Sequence, residues 1–180
     1  YGGKQIVGLN AAVPLDPTTG VYGGIDRATW AFWQSKIKNV SGTATLQADM
    51  NSLWASLVRG ADRPDLIIAD AVVWQAYLAT LQANQRFTDA GSASLGFPTI
   101  KYMDCDFVLD GGIGGFCPAG TAFFLNTKYI HYRPHSARNF VSLSPNKRYS
   151  INQDAEVQIL AWAGNMTMSG SQFQGRLDVN

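Results

Sequence analysis

A helix–strand–helix pattern in the first half of the chain constrains the fold most strongly. Between residues 45 and 60 the apolar residues recur at intervals of three and four, which predicts an amphipathic helix with Thr45 as its N-cap and Gly60 at its end. The run LIIA at 66–69 predicts a short strand that is buried on both faces. Asp70 then predicts the N-cap of a second helix, which continues to about residue 84. Helix, strand and helix in this order form the kernel of a layered α/β or α+β domain.

The second half of the chain has a different pattern, in which short aromatic and β-branched runs alternate with glycine and proline. Helices followed by strands predict the α+β class. Residues 1–24 are rich in glycine, proline and aspartate, and predict a loop that contributes no core. Residues 25–40 mix helical and strand spacings, with extended structure favoured. Strands are expected at 99–102, 106–109, 122–126, 129–132, 157–161 and 166–168.

The chain carries few charges for its size. Its 180 residues can bury one sizeable core or two small lobes that share one, and they are 46% hydrophobic and only 15% charged. Such a composition suggests surface that another molecule covers, as in a self-associating protein. The net charge of +1 gives no bulk support for nucleic-acid binding. No apolar run approaches the roughly 20 residues of a membrane helix and no signal-peptide core opens the chain, so a soluble protein that is not exported is predicted.

The two cysteines, Cys105 and Cys117, are expected to be free thiols in a reducing cytosol. A catalytic triad can be assembled on paper from either cysteine, a histidine and an aspartate. The sequence has no Gly-x-Ser-x-Gly elbow, and Cys117 has neither a helix N-terminus nor a cationic neighbour to lower its pKa. We therefore predict no catalytic residue.

Two further patterns are candidates for a phosphate-binding loop and a metal site. The glycine-rich run at 111–115 lacks the following helix and the Lys-Ser/Thr pair of a phosphate loop, so we interpret it as a hairpin tip. His131 and His135 flank Pro134, which interrupts the strand, and no third ligand stands at a diagnostic spacing. No metal ligand and no cofactor are predicted. The upstream carboxylates considered with the two histidines are Asp104, Asp106 and Asp110.

The densest basic and aromatic stretch lies between residues 132 and 149. It could bind the backbone of a nucleic acid, or it could pair with carboxylates of a neighbouring copy, because arginine and tyrosine are favoured at interfaces. The chain has no second basic stripe, so the contact with a neighbouring copy is favoured. The residues concerned are Arg133, Arg138, Lys147 and Arg148, with Tyr132, Phe140 and Tyr149 between them.

A series of short sequence motifs, or words, is distributed along nearly the whole chain. They are GGIDRATW at 23–30, FW at 32–33, RPDLI at 63–67, QRF at 85–87, LGFP at 95–98, DCDFVLD at 104–110, LNTKY at 125–129, RP at 133–134, QDA at 153–155 and AWAGN at 161–165. In their order and spacing these words resemble one lineage of tailed-bacteriophage major capsid proteins.

The resemblance implies the two-lobed capsid fold of that family, with an axial domain whose mixed sheet is flanked by helices and a peripheral domain. It assigns 1–41 to a loop-rich lead-in that is partly peripheral, 42–152 to the axial domain, and 153–180 to strands that return into the peripheral domain. In the family an N-terminal arm, an extended loop and a long spine helix come earlier, so the chain is expected to be a C-terminal portion that forms no shells by itself. The loops at 89–94 and 110–120 are expected to face pores or neighbours.

The resemblance also implies a structural role without enzymatic activity: a major capsid protein of a tailed phage or prophage, self-assembling into the icosahedral shell that encloses packaged DNA. The expected partners are other copies in capsomers, with scaffold, portal or decoration proteins as further candidates, DNA only non-specifically, and no membrane. The protein is expected to be located in the virion capsid and, during assembly, in the host cytoplasm. The alternatives are a tail or connector component, and a small cysteine hydrolase built on Cys117 with His131 or His135.

Overall fold

A computed structural model describes residues 5–82, 99–110, 115–143, 148–149 and 156–180. This part of the chain has an α+β fold around a six-stranded mixed sheet, which confirms the predicted class. The helices are α1 (Leu9–Ala12), α2 (Leu46–Leu57) and α3 (Ala71–Gln82). The strands are β1 (Val21–Tyr22), β2 (Ile25–Asp26), β3 (Lys36–Val40), β4 (Leu66–Ala69), β5 (Thr99–Tyr102), β6 (Cys105–Leu109), β7 (Thr121–Leu125), β8 (Ile130–Pro134), β9 (Val141–Ser142), β10 (Arg148–Tyr149), β11 (Glu156–Val157), β12 (Leu160–Ala161), β13 (Gly164–Met168) and β14 (Gly175–Val179).

The large sheet has the strand order β3-β14-β7-β4-β6-β5. The pairs β3–β14 and β4–β6 are parallel, and the other neighbours are antiparallel. Strand β7, with the sequence TAFFL, lies in the interior of the sheet, and each of its residues is buried. A continuous apolar run of this kind fits a strand that is covered on both faces.

Helices α2 and α3 cover one face of the sheet. Leu53 of α2 and Tyr77 of α3 belong to one buried cluster with Phe107 and Phe124 of the sheet. The rings of Tyr77 and Phe107 lie 5.0 Å apart between centroids. The three-and-four spacing that predicted the helices therefore marks the side of each helix that faces the sheet.

A second core lies on the other face of the sheet. It joins Phe123 and Leu125 of β7 to Trp33 and to Ala12 and Val13 near the N-terminus. The prediction that residues 1–24 contribute no core is wrong, since Ala12 and Val13 are fully buried. One turn of helix, α1, suffices to bring these two side chains onto the sheet.

The predicted end signals of α2 do not act as caps. The Thr45 side chain makes no cap hydrogen bond, and its hydroxyl instead donates to Asp49 at 2.7 Å. The helix ends at Leu57, and Gly60 lies in a turn beyond it with a φ of +60°. Asp70 does cap α3, because its carboxylate accepts the N–H of Val72.

Most of the predicted strands are present, with changes at their ends. The strand at 99–102 is found as predicted, whereas the one expected at 157–161 is divided into β11 and β12. Three positions separate Val157 from Leu160, but six separate their partners Arg148 and Ser142, so one ladder cannot continue into the other. The segment 25–40 holds β2, a 3-10 turn at Ala31–Trp33 and β3.

Some expectations lie outside the described residues. These are the end of the second helix at 83–84, the loop at 89–94, the glycines at 111–114, Lys147, and the words at 85–87, 95–98 and 153–155. Within the described ranges, no helix is long and apolar enough to cross a membrane.

The sheet draws strands from all three expected segments. Strand β3 comes from 1–41, β14 comes from 153–180, and the other four come from 42–152. Strands β3 and β14 pair along five residues each, from Lys36 opposite Gly175 to Val40 opposite Val179. The sheet is therefore a joint structure of the three segments.

Candidate functional site

The histidines and carboxylates that were tested as metal ligands have separate partners. His131 Nε2 lies 3.3 Å from Ser169 Oγ, and His135 Nδ1 accepts the N–H of Ala137. Asp104 pairs with Arg63, and Asp106 pairs with Lys101. Among the described residues, no three metal-ligating side chains come together.

The two thiols are held in their protonated form. Cys105 is fully buried and donates to the Pro64 carbonyl at 3.0 Å, and burial raises the pKa of its thiol. Burial, with the charges of Asp110 and Asp70, raises the pKa of Cys117 to about 11. A thiol needs a lowered pKa to act as a nucleophile at neutral pH. The geometry therefore gives no support to a cysteine hydrolase.

A two-stranded arm is the first surface that the fold leaves open. We call residues 130–168 the arm, of which 130–143, 148–149 and 156–168 are described. Its described residues form three successive antiparallel ladders, β8–β13, β9–β12 and β10–β11, each a sheet of two strands separate from the large sheet. An isolated two-stranded ladder is marginally stable in water, so a structure of this kind gains from being covered.

The root of the arm is anchored in the second core. Ile130, Met166 and Met168 pack against that core, and they lie on the same face of the β8–β13 ladder as Tyr132 because side chains alternate along a strand. The apolar face of the arm therefore continues the core outwards.

Beyond the root, aromatic rings line the arm. Trp162 stacks on Tyr132 with centroids 5.9 Å apart, and its indole N–H donates to the Tyr132 hydroxyl. The ring centroids of Phe140 and Trp162 lie 6.5 Å apart. Phe140 has a φ of +52°, a left-handed conformation that bulky residues adopt only when their surroundings impose it. Tyr132 is 58% exposed and Phe140 is 70% exposed. The rings are thus ordered among themselves while they face the solvent.

The far part of the arm also exposes aliphatic side chains. Leu160 is 62% exposed, and its neighbours on the β9–β12 ladder are exposed to lesser degrees. Leu160 lies opposite Ser142 on this ladder, whereas Val141 lies opposite Ala161, so apolar side chains project from both of its faces. The further residues of this set are Val141, Leu143 and Ile159.

An apolar pocket is the second open surface. We call it the sheet pocket; it has a volume of about 600 Å³ and lies on the face of the sheet opposite the helices. Its lining includes Leu66 and Ile68 of β4, which are half-buried, whereas Ile67 and Ala69 on the helix side are fully buried. The prediction that 66–69 is buried on both faces is therefore wrong for one face. The other lining residues are Gly8, Leu9, Asn10, Asp106, Val108, Leu109, Asp110, Phe116, Cys117, Pro118 and Phe123.

The rim of the sheet pocket combines an exposed ring with a carboxylate. Phe116 is 92% exposed, and Asp110 accepts the N–H groups of Phe116 at 3.4 Å and Cys117 at 3.0 Å. Another lining residue, Asn10, accepts a hydrogen bond of 2.6 Å from Arg176, which pairs in turn with the buried Asp178. Hydrogen bonds to the sheet thus hold both walls of the pocket.

The sequence pointed to parts of both surfaces but not to the arm or the pocket as such. The basic and aromatic stretch at 132–149 pointed to a contact surface, and the exposed rings of Tyr132 and Phe140 fit that interpretation. The exposed side chains of Arg133 and Arg138 lie on the arm as well. The pocket itself was not predicted, although four of its lining residues belong to the loop at 110–120, which was expected to face pores or neighbours: Asp110, Phe116, Cys117 and Pro118.

Comparisons with known proteins identify the fold. No family model matches the chain, and no curated protein matches it. Among solved structures, a chain of the cyanophage A-1(L) capsid asymmetric unit matches with a TM-score of 0.67 at 17% sequence identity. The match covers 96% of this chain and 58% of that chain. Over almost its whole length the chain therefore has the fold of a phage capsid chain, which confirms the fold that its sequence words implied.

Proposed function

We propose that this chain belongs to a major capsid protein of a tailed phage or prophage and that copies assemble into the icosahedral shell around packaged DNA. The observation that carries the proposal is the fold, which matches a chain of a phage capsid asymmetric unit over 96% of the residues present. The sequence words resemble the same family independently of that match.

The exposed surfaces support a role in self-association. The chain is only 15% charged, and it exposes an arm with ordered aromatic rings together with an apolar pocket on the sheet. A shell subunit needs several contact surfaces of modest strength, because each copy has several neighbours and the contacts act together. These two surfaces meet that need.

We assign the lobes as the resemblance implies, with 42–152 as the axial domain, 153–180 as returning peripheral strands and 1–41 as a partly peripheral lead-in. The shared sheet, with β3 and β14 at one side, is then the joint between the lobes. The arm begins within the axial segment and returns through the peripheral one.

The proposed role is structural, with other copies as the main partners. Scaffold, portal or decoration proteins are further candidates, and a net charge of +1 suits an enclosure of DNA without specific contacts. We also propose that the protein has no enzymatic activity, which the raised pKa values of both thiols and the separate partners of the histidines support. Its proposed places are the host cytoplasm during assembly and then the virion capsid.

Expression of the natural full-length protein tests the proposal. We expect sedimentation velocity to show large particles and electron micrographs to show closed spherical shells. The 180-residue chain expressed alone is the comparison, and we expect it to form no shells. Tubes or small rings from the full-length protein would indicate a tail or connector component, and a protein that stays monomeric would contradict any shell role.

A further inference from the structure

Two unlike apolar surfaces on this molecule complement each other. The arm carries a ridge of exposed rings and aliphatic side chains, and the sheet pocket is a concave apolar site of about 600 Å³. We propose that the sheet pocket of one copy receives the aromatic part of the arm of a second copy, around Tyr132, Phe140 and Trp162. The inference rests on the proposed shell function and names the surfaces that one of its contacts uses.

The sheet pocket is large enough for rings of the arm. Its volume of about 600 Å³ has room for two aromatic side chains. Phe116, which is 92% exposed, is one of the lining residues and can pack against them. The contact therefore joins exposed rings to a cavity that can hold them.

The charges of the two surfaces are opposite. On the arm, the side chains of Arg133 and Arg138 are exposed, whereas the pocket lining contains Asp106 and Asp110. Lys101 already pairs with Asp106, so Asp110 is the carboxylate that we assign to the contact. Asp110 accepts two backbone N–H groups, and a carboxylate offers about four lone-pair sites.

Of the two exposed arginines on the arm, Arg138 is the better placed to pair with Asp110. Arg133 lies next to Tyr132 on β8, so its side chain leaves the opposite face of the ladder, and it donates to Thr167 there. Arg138 precedes Phe140 by two residues, in the bend where the Ala163 N–H donates to its carbonyl. Arg138 is exposed beside the rings that would enter the pocket.

This pairing joins different surfaces of two copies. A contact between unlike surfaces repeats from copy to copy and closes into a ring when the rotation permits it, whereas a contact between like surfaces ends at a dimer. A capsomer is a ring of copies. The arm and the pocket together therefore supply the kind of contact from which such a ring can be built.

Charge reversal in the full-length protein tests the pairing. Asp110→Arg and Arg138→Asp each place like charges in the contact, and we expect each to lower the association constant roughly tenfold. The double variant restores opposite charges and is expected to associate within about threefold of the parent. Sedimentation velocity measures the association constant, and electron microscopy records the particles.

Two controls separate the contact from folding. Asp110→Asn keeps an acceptor for the loop at 116–117 and removes only the charge, so we expect it to unfold at the parent's midpoint and to associate a few fold more weakly. Asp16→Arg reverses an exposed carboxylate outside the pocket, and its combination with Arg138→Asp should restore nothing.

The outcomes distinguish this inference from the proposed function. If shells form and both single reversals associate like the parent, the pairing is wrong while the shell role stands. If Arg138→Asp weakens association and Asp110→Arg cannot restore it, the arm contacts another surface or another protein, and the pairing is again overturned. A full-length protein that never associates contradicts both proposals.

Discussion

At the scale of single residues, Gly120 occupies a position with no room for a side chain. Its φ is +69°, and a Cβ built on it would lie 2.5 Å from the carbonyl oxygen of Val179. Because that neighbour is backbone in the large sheet, it cannot turn aside. We expect Gly120→Ala to lower the free energy of unfolding by about 3 kcal/mol, from the left-handed conformation and the clash together. Urea denaturation of the folded chain measures this loss.

Gly24 provides the matched control for that substitution. Its φ is +81°, but among the described residues no atom beyond its own chain neighbours lies within 4 Å of the position that its Cβ would take. Gly24→Ala should therefore cost only the left-handed conformation, about 1 kcal/mol. Equal losses at the two glycines would show that the approach of Val179 does not decide the stability of this turn.

At the scale of the elements, the two candidate N-caps differ in what they bind. Asp70 accepts the N–H of Val72 in α3 at 3.3 Å and also that of Gly120 at 3.0 Å, so it joins the helix to the loop before β7. Thr45 makes no such bond to α2. We expect Asp70→Ala to lower the free energy of unfolding by about 2 kcal/mol and Thr45→Ala to change it by less than about 0.5 kcal/mol. Urea titrations of the two variants compare them, and equal losses would contradict the assignment.

Because Asp70 is charged, the difference in unfolding free energy between the parent and Asp70→Ala depends on pH. Burial raises the pKa of its carboxyl, but hydrogen bonds from the backbone of Gly120, Ala71 and Val72 outweigh burial and lower it. A carboxyl with a lowered pKa in the folded state stabilises the fold above its ordinary pKa of about 3.9, and this stabilisation is lost as the pH falls through the folded value. The difference between the parent and Asp70→Ala should therefore shrink under acidic conditions.

Local signals in the sequence predicted the elements well but not all of their ends. The spacing of apolar residues located α2 and α3, because it records which side of each helix is buried. The LIIA run located β4 without showing that one of its faces is only half-buried. Thr45 and Asp70 look alike as cap candidates in the sequence. Asp70 bonds to Val72 within its own helix and gains a second partner in the N–H of Gly120, fifty residues further on. Signals that depend on distant partners cannot be found from local patterns.

At the scale of the whole molecule, the same limit applies to the arm and to the sheet pocket. The contact surface at 132–149 could be predicted because its basic and aromatic residues are close together in the chain, but its pairing with β12 and β13 could not. The pocket could not be predicted either, because its lining combines Leu9, Ile68 and the pair Val108 and Phe116 from three segments that are far apart in the chain. The second core could not be predicted for the same reason, since no local pattern around Ala12 and Val13 indicates that they contact β7.

Substitution of exposed apolar side chains on the arm tests assembly separately from folding. Phe140→Asn with Leu160→Ser removes two side chains that are 70% and 62% exposed, and asparagine accepts the φ of +52° at position 140. We expect the free energy of unfolding to change by less than about 1 kcal/mol in the double variant, since exposed substitutions cost little, while the full-length protein loses most of its self-association. Thermal denaturation and sedimentation velocity measure the two quantities. Val21→Ser, at a site 66% exposed outside the arm, is the control and should alter neither. Unchanged assembly in the double variant would mean that the arm remains uncovered in the shell, and its ordered rings would then need another explanation.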